Sequence, residues 1–249
     1  MTKDRLSEIR LKVERAIKHI DELAAVCKVF TDSTPYTLDR ETDPKTGYYH
    51  FSVADVQTPP PEVGLIAGDA IHNLRSALDH LACQLVLANG NVPLRQTCFP
   101  IFDSESKYQT MDARKVRGMS HAAINAIDAV KPYKDGNNAL YTLHELDIAD
   151  KHHSLLTTLF CVTEARIDVP GSIRDFKAPP FALPTFQKSL KEGDVIFVCE
   201  PGVENQTRIT FDVGLCEPEL VEGKPIVDVL KQMVKHVNNT IVSFEKFLV

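Results

Sequence analysis

The sequence predicts an α+β protein, mainly a helical bundle with a small antiparallel β-sheet, in a single domain over residues 1–249. Two observations carry that prediction. Apolar residues recur at three- and four-residue steps in three regions, about 1–31, 62–153 and 225–247, which is the period of a helix with one buried face. Between them, about 36–56 and 155–213, the chain turns to β-branched and aromatic residues bounded by Pro, Gly and Asp, the pattern of strands and turns.

Taken in order, residues 5–30 place Leu6, Ile9, Val13, Ile17, Ile20, Leu23 and Cys27 on one stripe, an amphipathic helix. Residues 36–40 and 47–56, rich in Tyr, Thr, Val and Phe, flank Asp43, Pro44, Lys45, Thr46 and Gly47, which reads as a hairpin. Pro59, Pro60 and Pro61 stop the strand, and Pro61 with Glu62 opens a helix. That helix runs to Asn89 and Gly90 with Leu74, Leu78, Leu81 and Leu85 as its seam. Residues 91–119 read as irregular. Two further helices follow, about 120–131 with Ser120 as its N-cap and 138–153, separated by Pro132 and Gly136. Strands are expected at 155–167, 195–199 and 207–213. The last helix carries Ile226, Leu230, Val234, Val237, Ile241 and Phe244 on one stripe. The stripes of the first and last helices need partners, which the middle helices supply.

Composition narrows the function. With 28 Lys and Arg against 34 Asp and Glu the net charge is -6, so any contact with a polyanion must use a local patch. No stretch approaches the ~20 apolar residues of a membrane span. The first residues have no apolar run behind a basic start, so no secretory signal is expected and the protein reads as cytoplasmic. Six cysteines without a C-x-x-C pair then read as reduced thiols. There is no G-x-x-x-x-G-K-[ST], G-x-G-x-x-G or H-E-x-x-H, and Gly118 to Ala122 lacks the closing Gly of a nucleophile elbow.

The segment 68–81 is distinctive. It sets Asp69, His72, Asn73, Arg75, Ser76, Asp79 and His80 into an otherwise apolar helix. At about 100° per residue, His72, Arg75, Ser76 and Asp79 share the face opposite the leucine seam, with His80 round the side near Asn73. Buried polar groups need partners, so such a set is either networked or functional. Arg75 and His80 form an R-x4-H spacing that resembles the R-x(4–6)-H motif of the HEPN superfamily, helical-bundle proteins that include metal-independent endoribonucleases of toxin–antitoxin and phage-defence systems. The resemblance implies RNA as substrate, Arg75 at the transition-state phosphate and His80 as acid or base, without a cofactor. It also implies a homodimer and a cognate antitoxin protein. Both chemistries suit the residue types. Arg75 and His80 lie about 140° apart round an ideal helix, so a neighbouring helix or second subunit would have to close the site. His72, Asn73, Ser76 and Asp79 would support the pair, with Lys151 and His152 adding positive charge and Arg114, Lys115 and Arg117 extending it.

A metal centre is the alternative. Asp69 with His72 and Asp150 with His153 are both D-x-x-H pairs on expected helices, which puts a carboxylate and an imidazole on one face and suits a divalent ion. Two bridging carboxylates would have to come from elsewhere, with Glu14 or Glu22 as candidates. A third reading is a catalytically silent binding or dimerisation module.

Overall fold

The computed structural model describes residues 5–152, 156, 158–167, 190–201, 207–217 and 220–248. Its order is α1 (Ser7–Asp32), β1 (Tyr36–Thr42), β2 (Tyr49–Val56), α2 (Pro61–Ala88), α3 (Glu105–Gln109), α4 (His121–Val130), α5 (Asn138–His152), β3 (Thr158–Ile167), β4 (Val195–Cys199), β5 (Thr207–Glu217), β6 (Val221–Pro225) and α6 (Ile226–Phe244). The fold is α+β and mainly helical. The chain divides into two compact units, one of residues 1–23, 64–156 and 227–249, the other of 24–63 and 157–226. No helix among the described residues is long and apolar enough to cross a membrane.

The first unit is helical. Ile9, Val13, Ala16, Ile20 and Leu23 of α1 are buried, as are Ile71, Leu74, Leu78, Leu81 and Leu85 of α2. From α6, Ile241 and Phe244 join the same unit's core, and Phe244 meets Phe99 edge-on at 6.1 Å between ring centroids. Each fully buried Leu or Phe contributes about 2 kcal/mol, which is why both terminal helices return to the bundle. Local signals set the helix ends. Pro61 stands at the first position of α2, where its missing N–H costs nothing, and Gly90 just beyond the last turn takes φ +76°. Ser120 caps α4 by accepting the Ala123 N–H at 3.2 Å, and Asn137 caps α5 by accepting that of Leu140 at 3.2 Å. The irregular stretch before α4 contains α3 and a 3-10 turn over Ala113–Lys115, both shorter than periodicity can reveal.

The second unit holds the strands. They form two antiparallel three-stranded sheets, ordered β1-β2-β4 and β3-β5-β6, rather than one. Composition marks a strand but not its neighbour: β2 is flanked on both sides by β1 and β4, and β5 by β3 and β6, so neither central strand has an edge left to join the sheets. The unforeseen β6 contains Gly223 and Pro225, which read as breakers; it is an edge strand, where a proline is tolerated. The β1–β2 turn falls where the sequence puts it. Asp43 accepts from the Lys45 N–H at 2.8 Å and the Thr46 hydroxyl at 2.9 Å, and Gly47 has φ +76°. Val53, Leu190, Ile196, Phe197 and Cys199 form this unit's core, and Phe51 stacks on Phe197 at 5.3 Å.

Candidate functional site

The polar face of α2 lies against α5 inside the helical unit. Arg75 is buried, with only 7% of its side chain exposed, so every charged or polar atom there needs a partner. Its Nη1 donates to Asp79 Oδ1 at 2.6 Å, its Nη2 to the Phe99 carbonyl at 3.0 Å, and its Nε to His144 Nδ1 at 3.3 Å. Asp79 Oδ1 also accepts the Phe99 N–H at 3.0 Å, so both backbone groups of Phe99 are tied to α2. Arg75 and Asp79 are four residues apart, one helical turn, which lets the carboxylate meet the guanidinium without bending either chain. The result is a clamp that joins α2, the segment around Phe99 and α5.

The hydrogen-bond pattern assigns the tautomer of His144. A guanidinium N–H can only donate, so Nδ1 accepts and the ring proton sits on Nε2. Burial, and then the positive charge of Arg75, push the His144 imidazole down to about 4. It is neutral at physiological pH and serves as an acceptor for the clamp.

One turn further along α5, Asp147 is almost fully buried between an imidazole and an ammonium. Its Oδ1 meets His72 Nδ1 at 3.2 Å and its Oδ2 accepts from Lys151 Nζ at 2.6 Å. Because an ionised carboxylate only accepts, the His72 proton sits on Nδ1 and Nε2 is left basic, on a side chain that is 50% exposed. Asp150 completes this end of the helix pair. Burial, followed by the charges of Asp147 and Asp69, pushes its carboxyl above the usual range, while His72 and Lys151 oppose the rise.

The structure thus brings together Asp69, His72, Arg75, Asp79, Asp150 and Lys151 of the sequence candidates. Asn73 turns away to donate to the Asp69 carbonyl at 2.8 Å, and Ser76 is half-buried. His80 is half-buried and makes no hydrogen bond or ion pair among the described residues. The side chain of His152, and all of His153, lie outside the described residues. Among those described, no group of three or more His, Cys, Asp or Glu is placed to hold a metal ion. The basic run is partly consumed: Arg114 folds onto Asp112 at 2.7 Å and Lys115 donates to Cys98 Sγ at 3.4 Å, whereas Arg117 is exposed.

Sequence reasoning passed over His144 and Asp147 as site residues. The signal was present, since His144, Asp147 and Lys151 follow steps of three and four and so share one face of α5. The role of the Phe99 backbone has no sequence signal, because it depends on where an irregular segment happens to pack. Comparison with protein families, with curated proteins and with solved structures yields no match.

Proposed function

We propose that the helical unit is a metal-independent endoribonuclease of the HEPN kind, acting as a toxin or defence effector. The observation that carries this reading is the conjunction, on α2, of an immobilised guanidinium with two imidazoles, His72 and His80. Each keeps a ring nitrogen free of hydrogen bonds among the described residues. Cleavage of RNA by its own 2′-hydroxyl needs a proton acceptor, a proton donor and positive charge at the phosphate, and these residue types supply all three. The resemblance assigns proton transfer to His80 and phosphate stabilisation to Arg75. Its burial and three partners favour a role for Arg75 in setting the charge and shape of the site over a direct grip on phosphate. RNA is the proposed partner, and a second copy of the chain is proposed to close the cleft.

The test is incubation of total cellular RNA with the purified protein in excess chelator, wild type beside His80→Ala. Cleavage by the wild type and its loss in the variant is the expected result. No cleavage by either would leave the metal centre, which metal analysis of the same sample tests, or the silent binding or dimerisation module. The engagement of Arg75 in purely structural hydrogen bonds is the observation on the side of the module.

A further inference from the structure

We infer that His72, oriented by Asp147, is a further proton-transfer residue of this unit besides His80, with Lys151 beside it as the cation nearest the phosphate; the inference rests on the ribonuclease reading above. The geometry is that of a histidine prepared for acid–base work. A buried carboxylate takes Nδ1 at 3.2 Å, fixing ring and tautomer, and the basic Nε2 belongs to a half-exposed side chain free to meet a ligand. The second oxygen of Asp147 holds Lys151 at 2.6 Å, on a side chain that is 41% exposed in the same patch. His80 has no such orienting group. It stands eight residues from His72, about 12 Å along the helix axis, so the two rings serve different positions.

In the step proposed, His72 Nε2 takes the proton of an RNA 2′-hydroxyl as that oxygen attacks phosphorus. The P–O2′ bond forms, the P–O5′ bond breaks, and the 5′ oxygen leaves with a proton supplied by water. The imidazolium so formed is stabilised by Asp147 and later returns its proton to solvent. The products are a 2′,3′-cyclic phosphate and a 5′-hydroxyl end. Among the described residues, Asp147 of α5 meets His72 directly, and Asp69 of its own helix and Asp150 and Lys151 of α5 belong to the same charged cluster.

The experiment is the pH–rate profile of cleavage of an RNA oligonucleotide in excess chelator, for wild type, His72→Gln, Asp147→Asn and His80→Ala, each checked for a cooperative melt. His72→Gln is expected to lose about 100-fold or more, the usual worth of a positioned base. Asp147→Asn is expected to lower the rate, because Nδ1 of His72 loses the carboxylate that fixes its ring and tautomer. A merely structural role would lower the melting temperature and leave the rate of the folded protein unchanged. His80→Ala is expected to lose activity as well, as the reading above requires. Full activity in His72→Gln with loss in His80→Ala would overturn this inference and leave the ribonuclease reading standing. An inactive wild type would overturn both. If Asp147→Asn fails to fold, nitrogen-15 NMR of the wild type decides the orientation: the Nδ1–H tautomer of His72 is expected, and the Nε2–H tautomer contradicts it.

Discussion

Asp150 of α5 occupies the space where a side chain at Gly68 of α2 would stand: a Cβ built on Gly68 would come within 2.3 Å of Asp150 Oδ1 and 2.6 Å of its Cγ. The close approach of the two helices at this point is what places Asp69, His72, Asp147 and Lys151 within reach of one another.

Gly68→Ala is therefore expected to destabilise the wild type by about 1–3 kcal/mol, the usual cost of overpacking, despite the better helix propensity of alanine. In an Asp150→Ala background the obstacle is gone, and the same change should stabilise by about 0.5–1 kcal/mol. Urea unfolding of the four proteins checks this. Equal effects in both backgrounds would show that the helices do not meet as described.

Arg75→Met leaves the Phe99 carbonyl, Asp79 and His144 Nδ1 without their donor, and about 3 kcal/mol of stability should be lost, the low end for breaking a buried ion pair. Arg75→Lys should recover only part of it, since one ammonium cannot reproduce a planar fork aimed at three acceptors. Thermal melts of the two variants give the comparison. A neutral Arg75→Met would mean that the clamp contributes nothing to the fold.

The bundle was legible in the sequence because its information is periodic. Leu74, Leu78, Leu81 and Leu85 repeat at helical spacing and are buried, and Pro61 and Gly90 mark the ends of their helix through backbone chemistry that needs no tertiary context. The hairpin at Asp43 and Gly47 was legible for the same local reason. Strand partnership was not, because β2 and β4 meet across more than a hundred residues and nothing in either segment names the other. The site divides in the same way. The polar residues of α2 stood out against an apolar helix, whereas Asp147 and His144, though their spacing puts them on one face of α5, have partners on α2 that no spacing names.

His144 makes the clamp sensitive to acid. An imidazole lowered from 6.5 to about 4 on folding is held neutral by the fold, a difference on the order of 3 kcal/mol. That stability is complete above about pH 6.5 and is lost as the pH falls through about 4. Asp150 acts in the opposite sense, since its raised carboxyl contributes stability in acid that is lost as the pH rises. His144→Gln keeps an acceptor for Arg75 but cannot protonate, so its loss of stability between pH 6.5 and 4 should be smaller than that of the wild type. Urea midpoints at pH 7 and 4.5 measure it, and identical pH dependence would refute the assignment.

Cys27 of α1 is buried, and burial, with the negative charge of Asp212, pushes its thiol up to about 12. It should resist iodoacetamide in the native state at pH 8 and react once the chain is unfolded in urea. Peptide mapping after a short pulse reads this out, and rapid native labelling of Cys27 would contradict the burial.

The central claim is that the helical unit cleaves RNA by internal transfer from the 2′-hydroxyl. Its most direct test is the chemistry of the product ends from one defined RNA oligonucleotide incubated with the wild-type protein in excess chelator. The account predicts fragments ending in a 2′,3′-cyclic phosphate and beginning with a 5′-hydroxyl. Intact RNA, or fragments with 3′-hydroxyl and 5′-phosphate ends, would contradict it.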